Sequence, residues 1–154
     1  MIGNKNRKLI SWFGNFDVSG WDTRECSLAA ILHNADFNVE SAEIILDTRM
    51  WKSFDFDLTP DEFSAKVKSD FPFITINIVE TTNPADYSEI YVHATEVFER
   101  ALSELDDDEK VLVNLSSGTP SMHAIWVLLA STVDDSQTDL LTVDRSGNVS
   151  KVNP

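Results

Sequence analysis

Small hydroxyl side chains and one glycine interrupt an apolar part of the sequence, VLVNLSSGTPSMHAIWVLLAST at positions 111–132. The apolar run before them has the length of a buried strand, and the run after them has the length of a helix. Gly118 permits close backbone approach or a positive φ, and Pro120 suits the first turn of a helix. Unpaired amides at a helix start, aided by the helix dipole, would form an anion site. The alternative is a capped helix whose hydroxyls satisfy their own backbone, and the residues alone leave both interpretations open.

Other catalytic patterns are weak or missing. The phosphate-binding patterns GxxxxGK[ST] and GxGxxG do not occur, which argues against an ATPase or an ordinary dehydrogenase. His33, His93 and His123 fall on three separate predicted helices without a second ligand at metal spacing, so no metal and no other cofactor is expected. His123 either pairs with a serine hydroxyl of the preceding turn or forms a local hydrogen bond. Cys26 is the only cysteine, which excludes an internal disulfide, and is expected to be a small buried residue.

The composition is ordinary for a globular protein, but the charge is strongly acidic. The 154 residues fit one domain spanning 1–154, with 42% hydrophobic and 25% charged residues. The longest apolar run, 124–130, is too short to span a membrane, and the N-terminus has no signal-peptide pattern, so a cytoplasmic location with no membrane partner is expected. The net charge of −14 disfavours direct binding of long DNA or RNA, whose affinity depends on Lys and Arg. A short anionic ligand stays compatible with this charge if backbone amides and a few arginines neutralise it locally.

Strands and helices alternate along the chain. Four apolar runs have strand length: 8–13, 42–48, 71–80 and 110–115. Four helices are expected between and after them, at 26–34 with Asp22 or Thr23 as cap, from Thr59 to about Asp70, across 81–105 and at 121–132. The tail DLLTVDRSGNVSKV has a turn signal between two short β runs. The pattern predicts an α/β fold: a Rossmann-like, mainly parallel sheet with helices on both faces and a C-terminal β-hairpin.

In such folds, ligands bind beyond the carboxyl ends of the strands. That principle selects four loops: 14–22, 49–57, 80–84 and 116–121. Trp12, Trp21 and Trp51 fall at or near strand ends, where a tryptophan could stack on a base or simply pack in the core.

The residues NLSSGTPSMHA at 114–124 resemble the signature of the CARF family, the CRISPR-associated Rossmann-fold domains. In that family a strand ends in a polar run with Ser or Thr, followed by Gly-Thr and a helix that contains Met. The order of elements fits too, since the first loop, GNFDVSGWD, would face the same pocket. The resemblance implies a homodimer that binds a nucleotide or cyclic oligoadenylate across its two-fold axis and controls an attached effector. On this sequence, the implied ligand-binding residues are Asn15, Asp17, Trp21, Ser116, Ser117, Gly118 and Thr119.

CARF-like domains also form the N-terminal sensors of sigma-54-dependent activators, including the RNA-repair regulators, and this chain most resembles such a sensor. Its effector would be an ATPase and DNA-binding part downstream of Pro154. Two alternatives stay open. One is a metal-independent ring nuclease that positions the 2′-hydroxyl of its ligand with Ser117, Thr119 and the first loop, and the other is a partner-docking module with a vestigial pocket.

One departure from the family concerns charge. The position after Gly-Thr is often basic in the family and is Pro120 here. Arg24 and Arg49, both expected beyond strand ends, are candidate substitutes for the missing cation, and surface ion pairing is their alternative role. A ligand that carries little charge would also fit.

The run AIWVLLA at 124–130 is apolar on every side of its predicted helix. Such a helix is expected to be covered on both faces, by the sheet and by a second subunit or neighbouring domain. Trp126 is the candidate anchor of that interface. A fully buried central helix in a monomer is the alternative.

Overall fold

The structure is a computed structural model that describes residues 7–52, 54–106 and 108–152. Within these residues the chain forms six strands and six helices. In chain order they are β1 (Arg7–Trp12), α1 (Asn15–Ser19), α2 (Ser27–Leu32), β2 (Val39–Asp47), α3 (Thr48–Lys52), α4 (Pro60–Asp70), β3 (Ile74–Val79), α5 (Tyr87–Ser103), β4 (Lys110–Asn114), α6 (Pro120–Ala130), β5 (Thr138–Val143) and β6 (Val149–Val152).

The six strands form one sheet in the order β3-β2-β1-β4-β5-β6. All neighbouring pairs are parallel except β5 and β6, which form the predicted antiparallel hairpin. From β1 the chain builds the sheet outward through β2 to β3, and then returns to the other side of β1 with β4. The carboxyl ends of β1 and β4 therefore meet where the direction of winding reverses. The predicted fold class is confirmed.

Helices cover both faces of the sheet. On one face α5 and α6 enclose a core that contains Trp12 and Trp126, both completely buried. On the other face, the shorter helices and their loops enclose a second core around Phe13 and Phe63. No helix of the described ranges is both long and apolar enough to cross a membrane.

The start of α4 follows its sequence signal. Thr59 is the N-cap, its hydroxyl accepts from the Glu62 amide, and Pro60 occupies the first turn, as predicted. In α5, which forms within the predicted range 81–105, an apolar stripe is buried from Ile90 to Ala101. These two helices could be predicted because caps and a 3.6-residue period are local features of the sequence.

Two short helices lie where the sequence predicted loops. α1 and α3 have five residues each and interrupt the predicted loops 14–22 and 49–57. The start of α2 was also predicted too early, since its N-cap is Cys26 and not Asp22 or Thr23. Asp22 instead pairs with Lys66 of α4.

Candidate functional site

The candidate site lies at the carboxyl ends of β1 and β4, where two connections touch through their backbones. Gly14 follows β1, and Gly118 lies in the turn between β4 and α6. A Cβ atom built on Gly14 would lie 2.9 Å from the Gly118 amide nitrogen, which is too close for any other residue without movement. Gly118 has φ +95°, a conformation that favours glycine. Both glycines are therefore required by the way the two connections meet.

A buried polar network holds this junction together, and we call it the Asn114 cluster: Ser11, Asp17, Ser27, Asn114 and Ser117. The Asn114 Nδ2, which has two hydrogens to donate, lies 2.9 Å from the Ser117 hydroxyl oxygen, 3.1 Å from that of Ser27 and 3.2 Å from that of Ser11. The hydroxyls of Ser27 and Ser117 are 2.6 Å apart. One completely buried amide thus links β1, β4, the start of α2 and the turn before α6.

Asp17 connects the first loop to the same network. Its carboxylate accepts from the Gly14 amide at 2.8 Å and from the Leu28 amide at 3.3 Å. It therefore serves as the cap of α2, whose own N-cap residue makes no side-chain cap bond. The side chain is only 2% exposed, and burial raises the pKa of Asp17 although these hydrogen bonds act against the rise.

Cys26 sits half-buried at the start of α2. Burial, and then the nearby Asp17 charge, raise the pKa of the Cys26 thiol to about 12. Nucleophilic cysteines need the thiolate, so this residue is a packing residue at neutral pH.

Several amides of the turn are occupied within the chain. The Ser116 amide donates to the Asn114 Oδ1 at 2.9 Å. The Thr119 amide lies 3.3 Å from the Met122 sulfur, and the Met122 amide donates to the Thr119 hydroxyl at 3.4 Å. The expectation of unpaired amides is therefore wrong for these three positions, because neighbouring side chains accept from them.

The hydroxyls of the turn are also engaged. The Ser116 hydroxyl accepts from the Val143 amide at 2.8 Å, and the Thr119 hydroxyl donates to the Pro84 carbonyl at 3.0 Å. The His123 Nε2 lies 2.9 Å from the Ser117 carbonyl oxygen and not from a hydroxyl. A Ser-His pair is thus not formed, and His123 makes the local hydrogen bond that was its alternative.

Known proteins resemble this chain in fold. No family model matches this sequence, and no curated protein matches it either. Among solved structures, the chain is similar to Enterococcus italicus Csm6 bound to cyclic hexa-2′-fluoro-hexa-dAMP, with a TM-score of 0.70 at 16% sequence identity. The similarity covers 90% of this chain and 33% of the Csm6 chain. The two chains share a Rossmann-like α/β fold. The chain spans about a third of the length of Csm6, and the similarity at this identity is one of fold.

The fold places the residues that carry the sequence resemblance at the junction described above. Positions 114–124 form the end of β4, the turn and the first part of α6. Of the predicted ligand-binding residues, Ser116, Ser117, Gly118 and Thr119 share this turn, and Asp17 joins them through the Asn114 cluster. Asn15 is half-buried at the start of α1, immediately after Gly14.

Trp21 does not join this group. It is 5% exposed, its ring packs edge-on against Phe13, Phe63 and Phe71, and its indole donates to Asp70 at 2.8 Å. Trp12 and Trp51 are also buried, so none of the three tryptophans offers a free ring face at this edge of the sheet.

The aromatic residue that sequence reasoning missed is Phe16. It lies on α1, two residues after Gly14, and is 76% exposed. Its place in the loop after the first strand was the available signal, but the prediction named only the tryptophans, which fall at or near strand ends.

The two candidate cations lie in different surroundings. Arg24 has φ +60° and lines a cleft of about 280 Å³ with Trp21, His33 and Phe71, in the helical layer of α2 and α4. Its role as a substitute for the basic residue of the turn stays a prediction. Arg49 lies in α3, directly after β2, at the same edge of the sheet as the turn.

Asp17 gives the stability of the protein a specific pH dependence. Its pKa is raised above 3.8 on folding, so the stability contributed by its protonated form is fully present below 3.8 and is lost as the pH rises through the folded pKa. Asp17→Asn cannot titrate. We expect the unfolding free energy of the wild type minus that of Asp17→Asn to fall over this window and to be constant beyond it, as measured by urea denaturation at a series of pH values. A difference that rises with pH in the acid range would show that the folded protein prefers the carboxylate.

Proposed function

We propose that this chain is a ligand-sensing domain that binds a nucleotide or short cyclic oligonucleotide between two copies of itself and thereby controls an effector. The observation that carries the proposal is the contact of Gly14 with Gly118 at the winding reversal of a CARF-like sheet. Such reversals are where open α/β sheets bind ligands. The similarity to a Csm6 structure that holds a cyclic hexanucleotide supports the class of ligand.

The buried network suits a receptor because it fixes the turn before any ligand arrives. Ser117 is 3% exposed and Asn114 is completely buried, so their hydrogen bonds shape the turn from beneath. The surface above it consists of the partly exposed Asn15, Gly118 and Thr119. A preformed surface of this kind loses little conformational entropy on binding.

The exposed face of α6 supports a homodimer. Val127 is 37% and Leu128 is 52% exposed, and Ala124 lies one turn before them on the same face. α6 contains no Asp, Glu, Lys or Arg, in a chain whose net charge is −14. Two such chains can approach most easily where charge is missing, and an exposed apolar surface favours burial. Since α6 begins at the turn, a two-fold axis beside α6 would place two turns next to each other.

Trp126 is not the anchor of that interface. It is completely buried in the core between α5, α6 and the sheet. The helix is apolar on all sides because one face fills the core of its own chain, and the other face, with Val127 and Leu128, stays open.

The effector in this proposal is a sigma-54-dependent transcription activator whose ATPase follows residue 154. Its support is the resemblance of the sequence to the sensor domains of such activators. Reading the gene beyond the codon for Pro154 tests this part: an ATPase coding region agrees with it, and a stop codon contradicts it.

The test of the ligand and of the dimer uses the wild type and Leu128→Glu. We expect light scattering to show a wild-type dimer and calorimetry to show one cyclic tri-, tetra- or hexa-adenylate bound per two chains. Leu128→Glu would bury an unpaired carboxylate in the interface, so we expect a monomer whose ligand affinity is at least about tenfold lower. Phe73→Glu is the matched control, because Phe73 is 37% exposed and precedes β3 at the opposite end of the sheet.

Three outcomes would contradict parts of the proposal. Binding at one ligand per chain by a monomer would exclude the shared site. Absence of binding and of thermal stabilisation with every cyclic adenylate would favour the partner-docking alternative. Recovery of linear oligoadenylate after incubation would support the ring-nuclease alternative.

A further inference from the structure

The ring of Phe16 is exposed to solvent, and the short helix that carries it is held firmly by its other residues. Among the exposed large apolar side chains of the described residues it has the largest exposed fraction, 76%. The next residue in α1, Asp17, is buried and bonded to the amides of Gly14 and Leu28, and Val18 packs against the core. Because α1 is held by these inward side chains, the ring of Phe16 cannot turn into the core without breaking the cap of α2.

Phe16 lies close in sequence to the candidate site. Only Asn15 separates Phe16 from Gly14, whose backbone touches the Gly118 turn. The neighbouring surface of that turn is polar and partly exposed at Thr119. A flat apolar ring beside hydrogen-bonding groups is the combination with which proteins bind nucleobases.

The charge around the site makes stacking important for affinity. Neither the first loop, 14–22, nor the stretch 114–124 contains Lys or Arg, and the first loop contributes Asp17 and Asp22. Ion pairs with phosphates, which usually dominate nucleic-acid affinity, are therefore few at this junction. Base stacking does not depend on phosphate charge, and it is the interaction that an acidic protein can still offer a nucleotide.

We infer, on the basis of the proposed function, that Phe16 stacks on a nucleobase of the bound ligand and is a main source of its affinity. In the proposed dimer each turn has its own Phe16, so a cyclic oligonucleotide would meet two such rings. The ligand recognised in this way carries at least one unpaired base, and a sugar phosphate without a base lacks the partner of the ring.

The first test compares binding to Phe16→Ala, Phe16→Leu and the wild type by calorimetry with cyclic tetra- and hexa-adenylate. We expect Phe16→Ala to weaken binding about tenfold to a hundredfold, and Phe16→Leu to recover only part of this loss because it restores apolar area without a π face. Phe73→Ala, far from the turn, is the control and should bind as the wild type does. Ribose 5-phosphate is the probe without a base and should bind the wild type and Phe16→Ala equally weakly.

A second test reports stacking directly. The four native tryptophans are buried, so Phe16→Trp adds one exposed indole whose emission is red-shifted relative to the others. We expect cyclic adenylate to quench this added emission as it binds.

The outcomes separate this inference from the proposed function. Equal affinity of the wild type and Phe16→Ala, or binding to Phe16→Trp without quenching, overturns the role of Phe16 and leaves the proposed function intact. Absence of binding by the wild type overturns both. Dissociation of the dimer by Phe16→Ala would assign the ring to the subunit interface and would also overturn the inference.

Discussion

Replacing Asn114 with Ala is expected to lower the free energy of unfolding by about 3–5 kcal/mol, the largest effect of any single change at the junction. The Asn114 amide serves the hydroxyls of Ser11, Ser27 and Ser117 and accepts from the Ser116 amide. Alanine removes the acceptor of the Ser116 amide and one of the partners of each hydroxyl, and each lost partner costs about 1–3 kcal/mol before the groups rearrange. Urea denaturation followed by circular dichroism measures the change.

Asn77→Ala is the control for this variant. Asn77 lies half-buried on the edge strand β3 and donates one hydrogen bond, 3.3 Å long, to Glu43. Its replacement should cost about 1 kcal/mol. If Asn114→Ala lowers the free energy of unfolding no more than Asn77→Ala does, the Asn114 cluster does not hold the junction together and does not fix the turn before a ligand binds.

Gly118→Ala is expected to lower the free energy of unfolding by about 3 kcal/mol and to abolish ligand binding. Its φ of +95° costs an alanine about 1 kcal/mol, and the added Cβ would lie 2.7 Å from the Met122 sulfur and 3.3 Å from the Trp12 Cβ. The Met122 sulfur must move away, which breaks its contact with the Thr119 amide, and we expect the surface that the turn shares with Gly14 to shift as a result. Denaturation and calorimetry on the same samples measure both effects.

Gly147→Ala separates the backbone cost from the packing cost. Gly147 lies in the hairpin turn at φ +84°, and a Cβ built there meets nothing within 4 Å. This variant should therefore lose only about 1 kcal/mol and bind ligand as the wild type does. Equal losses for the two glycine variants would mean that the turn has room for a methyl group and that its close packing does not restrict the site.

The sheet and the long helices could be predicted from the sequence, whereas the one-turn helices could not. Strand runs such as 110–115 and the helix start at Thr59 and Pro60 are local patterns. They predicted the boundaries of β4 and α4 to within about one residue. A five-residue helix such as α1 contains too few residues to show a period. Its existence depends on Asp17, whose two amide partners come from both ends of the loop.

The candidate site was predicted in position but not in the roles of its residues. Hydroxyl residues after a strand can face a ligand or the interior, and nothing local in the sequence decides between these. Ser117 faces the interior because Asn114 and Ser27, the latter from a different part of the chain, approach it there. Trp21 faces the interior for a similar reason. Residues distant in sequence or on another element, Phe13 and Phe63, provide an aromatic core against which its ring packs.

Along the two touching connections, the inward-facing residues stabilise the fold and the outward-facing residues are available to contact a ligand. Asp17, Asn114 and Ser117 face inward, and any exchange among them weakens the whole molecule. Phe16 and Pro120 face outward, where most substitutions leave folding unharmed. Proteins with the same buried network can therefore differ in the ligand they recognise through changes in a few exposed residues, and these changes leave the stability of the domain nearly unaltered.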